Sequence, residues 1–329
     1  MSVTHPSRRA VLVACALAAT LFPVTSAFAE TYPSKPVKVI VPYGPGSNPD
    51  VATRIVMHAL QAKLGQPFVI DNKFGAGGGI GLSAAAKSAP DGYTIVVGHI
   101  GGLAINPNIY SSLPYDANRD FIPIAQMYNS PLVLLVAANS RYKTVADLLV
   151  DAKANPGKLT FSSGGNGNGA HLTGESLNKL AGVSMRHVPY KTMGPALTDV
   201  VGGEITFTFG NFSLGMPLVK GGKMRALALS GSARDPQYPD IPTVAETVKG
   251  FEYQDWTGVL APKGTSAEIV TLLQREIAAV LANPDVIAQL RAQGLNAVQG
   301  GTSAQFAAFI DSEQKKWGAV AKSIDLKID

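Results

Sequence analysis

Short apolar runs alternate with amphipathic stretches over most of this chain, and glycine or proline punctuates the joins. Val37-Lys38-Val39-Ile40-Val41 is a β-branched run that predicts a buried strand. The loop PYGPGSNPD follows. Within it Asn48 reads as a helix N-cap, Pro49 as the first helical residue and Asp50 as a favourable first-turn acid. The helix carries Val51, Ile55 and Ala59 beside Val56, Leu60 and Leu64, and Gly65 ends it. Phe68-Val69-Ile70 predicts a second strand. GAGGGIG, an alanine-rich helix, the turn Pro90-Asp91-Gly92 and a strand from Tyr93 to Val97 come next. Further strands are expected at 132–137, 159–161, 185–189, 205–209 and 224–229. Helices are expected at 144–154, from the glycines near 165 to Leu180, and at 195–201. Alternating strands and helices imply right-handed βαβ units and a mainly parallel sheet, hence an α/β fold.

From Thr265 the pattern turns helical. Thr265-x-x-Glu268 predicts a capping box before a helix with Ile269, Leu273, Ile277 and Val280 on one face. Asn283-Pro284 opens a shorter helix ended by Gly294. Thr302-x-x-Gln305 opens a last one with Phe306, Phe309, Ile310 and Trp317. If the tail packs back on the first half, the first domain is discontinuous, residues 30–127 and 253–329, and residues 128–252 are an inserted second domain. The chain then crosses twice, near 126–129 and 251–254, and two crossings make a hinge over a cleft. Ligands of open α/β sheets sit beyond the carboxyl ends of strands, which points to the loops after Val41, Val97, Phe161 and Phe209.

The first residues stand apart from this pattern. Arg8 and Arg9 precede an apolar run from Ala10 to about Leu21, too short to span a bilayer, and Ala27-Phe28-Ala29 has the form of a cleavage site. A signal peptide, residues 1–29, cleaved after Ala29, and a periplasmic protein are expected. Loss of the two arginines takes the formal net charge from +5 to +3 (5 − 2). With no Lys/Arg cluster, that excess does not point to nucleic acid. The single cysteine, Cys15, lies within the signal, so thiolate chemistry and disulfides are absent from the mature sequence.

The candidate chemistry centres on FSSGGNGNGAHLTGE, residues 161–175. Gly165-x-Gly167-x-x-Ala170 has the spacing of a dinucleotide fingerprint, but Pro189-Tyr190-Lys191 stands where its acidic partner belongs. A P-loop would need Lys and Ser/Thr where Ala170-His171 stand. No cofactor is expected. Ser162, Ser163 and His171 invite a hydrolase reading, but there is no G-x-S-x-G elbow. No pair of histidines has metal-ligand spacing. Anion binding survives: glycines let the backbone approach a ligand, and the first N–H groups of the following helix favour negative charge. Ser162, Ser163, Asn166 and Asn168 add neutral donors. The loop at Gly46-Ser47-Asn48 is built the same way.

The chain resembles the Bug-type receptors, the periplasmic subunits of tripartite tricarboxylate transporters. Pro42-Tyr43-Gly44-Pro45-Gly46-Ser47-Asn48-Pro49-Asp50…Arg54 is similar to their P-F-x-A-G-G-x-x-D…R opening. In order follow Asn72-x-x-Gly75-Ala76-Gly77-Gly78, Pro90-Asp91-Gly92-Tyr93-Thr94, Ser163-x-Gly165-x-Gly167…His171-Leu172, Val188-Pro189-Tyr190-Lys191 and Trp256-x-Gly258 with Ala261-Pro262-x-Gly264-Thr265. The resemblance implies a type II periplasmic-binding-protein fold that closes like a Venus flytrap. It implies a monomer that binds a small organic carboxylate and delivers it to membrane transporter subunits. By position it assigns ligand contacts to Tyr43, Gly44, Pro45, Gly46, Ser47, Asn48 and Asp50, and to Ser163, Gly165, Asn166, Gly167 and Asn168. His99, where the family often has Ser or Thr, and Asn211 are further expected contacts. His171 and Tyr190 are expected to brace the glycine loop, and Lys191 and Arg225 are either cleft cations or exposed or packed side chains. The alternatives are a secreted Ser163/His171 hydrolase and a ligand sensor for a two-component system.

Overall fold

Ten α-helices, three short 3₁₀ or π turns and eleven strands, arranged as two mixed sheets, account for the regular structure of the computed structural model, which describes residues 32–328. The expected signal peptide lies outside the described residues. Lys35 onward forms one compact unit.

The first sheet has the order β11-β4-β10-β3-β1-β2. Its strands are β1 (Val37–Val41), β2 (Phe68–Asn72), β3 (Thr94–His99), β4 (Phe121–Ser130), β10 (Asp255–Pro262) and β11 (Asn296–Ala297). β1 pairs in parallel with β2 and β3, the crossovers running through α1 (Asn48–Leu64) and α2 (Gly79–Ala86). β10 runs antiparallel between β3 and β4, and all eight of its residues are buried. The second sheet has the order β7-β6-β8-β5-β9. It is built from β5 (Val133–Ala137), β6 (Thr160–Ser163), β7 (Arg186–Pro189), β8 (Phe207–Gly210) and β9 (Met224–Leu229). β6 pairs in parallel with β7 and β8, whereas β5 is antiparallel to β8 and β9. The mainly parallel expectation therefore misses β11 and, in each sheet, the first strand after a crossing, β10 and β5. Such a strand enters from the other sheet and so arrives in the opposite direction.

After β3 the chain forms a π-helical turn, Gly101–Ile105, that runs into α3 (Asn106–Ile109). The second sheet is flanked by α4 (Val145–Ala154), α5 (Gly169–Ala181), α6 (Met193–Gly202) and α7 (Phe212–Lys220). α7 carries Pro217 within it and was not expected from the sequence. The tail supplies α8 (Ala267–Leu281), α9 (Pro284–Ala292) and α10 (Ser303–Ser323).

The helix ends refine the expected caps. α1 is capped at Ser47, one residue before the expected position, so Asn48 is the first helical residue and its side chain is free for other work. α8 is capped by Ser266, whose hydroxyl accepts from Ile269 N–H, while Thr265 bonds back to Pro262. The Thr302/Gln305 capping box of α10 forms as expected. Gly81 lets α2 pack closely on its neighbours, because a Cβ there would meet the Lys73 carbonyl oxygen at 2.7 Å and Pro42 Cα at 2.8 Å.

The tail packs back on the first sheet. Glu313 Oε2 accepts from both Trp256 Nε1 (2.9 Å) and Trp317 Nε1 (3.0 Å). Phe306 meets Trp256 edge-on over the bare Cα of Gly258. The chain changes sheet between Ser130 and Val133 and returns between Leu229 and Asp255. Buried Ser230 stitches the two passages together. Its hydroxyl accepts from Leu132 N–H (2.7 Å) and donates to the Tyr253 carbonyl (2.8 Å). Its backbone bonds the same two residues at 2.8 Å each.

Candidate ligand-binding cleft

β1 and β3 are parallel, so the loops after them leave one edge of the first sheet; β6 and β8 do the same in the second. The two edges meet. Ser213, in the first turn of α7, donates through Oγ to Asn48 Oδ1 at 2.8 Å, joining the N-termini of α7 and α1. Gly167 lies against Ile109 and Ile328 of the first-sheet side.

The first loop is held by Asp50. This buried carboxylate accepts from Gly46 N–H (2.9 Å), from Arg54 Nε and Nη2 (3.0 and 2.9 Å) and from Asn72 Nδ2 (2.9 Å). Burial would raise its pKa, but the bonds from Arg54, Asn72 and Gly46 outweigh that and hold it below the usual carboxylate range. Asn72 also donates to the Tyr43 carbonyl (3.0 Å), and Ser47 Oγ donates to Gly44 O (2.7 Å). Asp50 thus shapes the loop with both oxygens engaged, while Gly44, Pro45 and Gly46 form its partly open crest.

His99 ends β3, as expected, but both of its nitrogens are occupied. Nδ1 accepts from Gly101 N–H at 3.1 Å, and Nε2 lies 2.5 Å from Asp255 Oδ1. The Gly101 bond requires an unprotonated Nδ1, which leaves the ring proton on Nε2. Tyr43 tilts against the imidazole, with ring centroids 4.8 Å apart. The sequence reading missed Asp255. Its signal was an acid heading a strand, DWTGVLAP, that is otherwise uncharged.

The glycine loop 164–168 is braced by two histidines. Gly167 N–H donates to His171 Nδ1 (3.0 Å), and Asn168 Oδ1 caps α5 by accepting from His171 N–H (3.0 Å). Ser163 Oγ sits 2.7 Å from His187 Nε2 and donates to the Gly165 carbonyl (2.9 Å). The two imidazoles stack at 3.8 Å. Burial lowers the His171 pKa to about 4. Burial, then the neighbouring His171, lowers that of His187 to about 3. Two neutral rings thus stack without charge repulsion. The N–H groups of Gly169 and Ala170, in the first turn of α5, have no acceptor among the described residues. Asn166 is exposed at the tip.

The remaining candidates divide. Asn211 caps α7 through its backbone, without a side-chain cap bond. Tyr190 N–H bonds Ser163 O (3.0 Å), and its hydroxyl donates to Asp199 (2.5 Å), which raises the phenol pKa to about 12. Arg225 is not a cleft cation. Its guanidinium donates to the carbonyls of Ala138, Ser140 and Tyr142, joining β9 to the loop after β5. Lys191 is exposed beside the edge strand β7.

Ser163 does not have the surroundings of a nucleophile. It is 0% exposed, its proton goes to a backbone carbonyl, and its imidazole partner is His187 rather than His171. Among the described residues, no group of three or more His, Cys, Asp or Glu is placed to hold a metal. Two surface pockets, one under residues 298–302 against Phe306 and Phe309 and one beside α9, share no residue with these loops.

Among the described residues, four buried side-chain atoms have no hydrogen-bond partner: Tyr43 Oη, Asn48 Nδ2, Ser162 Oγ and Asp255 Oδ1. The Gly102 amide lies near the Tyr43 hydroxyl without completing a bond. Asp255 Oδ1 nonetheless lies 2.5 Å from His99 Nε2. Buried groups of this kind ordinarily find partners, and two of the four, Tyr43 and Asn48, belong to the first loop.

A family model described as the tripartite tricarboxylate transporter family receptor matches residues 52–326. The chain is 36% identical over 302 residues to Protein BugT of Bordetella pertussis, covering 91% of this chain and 92% of that protein. Among solved structures it is similar to Rpa4515 of R. palustris with adipate (TM-score 0.84, 34% identity, 90% of this chain and 99% of that one). It is also similar to MatC of Rhodopseudomonas palustris with bound malate (TM-score 0.78, 30% identity, 88% and 99%).

Proposed function

The chain belongs to the tripartite tricarboxylate transporter receptor family, and from that premise we propose that it is a periplasmic receptor, not an enzyme. In this reading it closes on a small organic carboxylate and delivers it to membrane transporter subunits as a monomer. The observation that carries the reading is the meeting of two helix N-termini from opposite sheets, α1 and α7, at the Asn48–Ser213 bond. Unpaired first-turn N–H groups and neutral side-chain donors hold an anion without a salt bridge. The two similar solved structures carry adipate and malate. The domains are residues 30–127 with 253–329, and residues 128–252. The passages tied at Ser230 act as the hinge, and Tyr43, the crest of the first loop, Asn48, the α5 N-terminus and Asn211 face the ligand.

A thermal-shift panel of carboxylates on the purified protein tests this. At about 100 times its dissociation constant a ligand stabilises by about 2.7 kcal/mol. Stabilisation by a sugar or an amine, with none by any carboxylate, would refute the proposal.

A further inference from the structure

Both Asn-Gly dipeptides of the sequence fall in the glycine loop, Asn166-Gly167 and Asn168-Gly169. An asparagine before glycine is open to attack by its own chain, because glycine has no side chain to shield the backbone nitrogen that follows. The fold treats the two pairs differently. Asn168 Oδ1 is held by His171 N–H (3.0 Å) at the start of α5, and Gly169 lies in the first turn of that helix. Asn166 is exposed in a turn closed by the Asn168 N–H on the Gly165 carbonyl (3.4 Å), and its side chain makes no hydrogen bond among the described residues. Gly167 follows it at φ +74°, outside any helix or strand. Its N–H donates to His171 Nδ1 (3.0 Å), a ring nitrogen able to take the proton that the amide must lose.

We propose that Asn166 is a site of spontaneous deamidation and, resting on the carboxylate-receptor reading above, that this modification switches carboxylate binding off. The Gly167 nitrogen bonds to Asn166 Cγ and gives up its proton, while the Cγ–Nδ2 bond breaks and ammonia leaves. Water then opens the cyclic imide at either carbonyl carbon, which leaves aspartate or isoaspartate at position 166. Both products oppose an anionic ligand. The new carboxylate precedes the Asn168 cap of α5, so its charge repels a ligand carboxylate at the free N–H groups of Gly169 and Ala170. The same charge complements the helix dipole, so the free protein is not weakened by it. Isoaspartate also lengthens the main chain by a methylene and carries Gly167 away from His171 Nδ1 and Ile109.

Purified protein incubated at mildly alkaline pH tests this, by peptide mapping with an isoaspartate assay and by calorimetry with the tightest binder of a panel of mono-, di- and tricarboxylates. Asn166 is expected to gain the mass of an NH₂-to-OH exchange and to accumulate isoaspartate while Asn168 stays intact, and affinity is expected to fall in step. Asn166→Asp, which reproduces one product, is expected to bind at least about tenfold more weakly through like-charge repulsion, with no loss of melting temperature in the free protein. Asn166→Gln, whose longer side chain closes the imide ring more slowly, is expected to hold its starting affinity through the same incubation. An Asn166 that stays intact, or modification of Asn168 ahead of it, overturns the proposal. A fully modified Asn166 with unchanged affinity overturns it too. In these cases fresh protein still binds carboxylates and the receptor reading stands, whereas fresh protein that binds no carboxylate removes both.

Discussion

Gly167 adopts φ +74°, and a Cβ there would overlap the Cδ1 methyl of Ile109 and press on that of Ile328 at 3.2 Å. The two isoleucines belong to the first-sheet side and Gly167 to the second, so Gly167→Ala perturbs the protein in two separable ways. The left-handed backbone disfavours alanine by about 1–2 kcal/mol whether or not the cleft is closed. The overlap exists only where the two sides touch, and overpacking of this kind costs about 1–3 kcal/mol. Under the closing-receptor reading the first effect lowers the melting temperature of the free protein. The second falls on ligand affinity and raises Kd by about 5- to 150-fold. Ile109→Val removes the offending methyl at a stability cost of about 0.5–1.5 kcal/mol. The double variant Ile109→Val/Gly167→Ala should then recover most of the lost affinity without recovering the melting temperature. Calorimetric titration of wild type, both single variants and the double variant closes the cycle. A Gly167→Ala Kd within about twofold of wild type, below the coupling expected of touching residues, would refute the reasoning, as would failure of Ile109→Val to rescue binding.

Two further outcomes follow from the same geometry. Ser213→Ala removes the Oγ bond to Asn48 across the cleft, and ligand affinity should fall by about 0.5–1.5 kcal/mol with little change in the ligand-free melting temperature; equal loss in both would make the bond merely structural. Below neutral pH the melting temperature should fall steadily. His171 and His187 titrate at about 4 and about 3 when folded and near about 6.5 when unfolded, so through that window the unfolded chain binds more protons and stability rises with pH. Glutamine at both positions should flatten the stretch between pH 6.5 and 4, and a slope that survives the double replacement would assign it to carboxylates instead.

The local grammar of the chain was legible without a structure. Strand runs such as Val37–Val41, the Gly65 stop, the Thr302/Gln305 capping box and the glycine loop before α5 each depend on neighbours a few residues away. Backbone sterics and capping bonds act over that range. The ordered family motifs likewise pointed to the fold and to the two facing loops. The one-residue shift of the α1 cap from Asn48 to Ser47 was beyond local reading, because Asn48 is buried and its amide is used across the cleft by Ser213. The same limit hid the direction of β10, the pairing of Ser163 with His187 instead of His171, and the contact between His99 and Asp255. Each of these joins segments far apart in the chain, and what selects them is burial: a polar group taken out of water must find a partner wherever the folded backbone places one. The sequence by itself determined many of the elements and pointed to two loops where an anion could be held. Only the tertiary structure decided which side chains are consumed in holding those loops and which keep an unpaired polar atom.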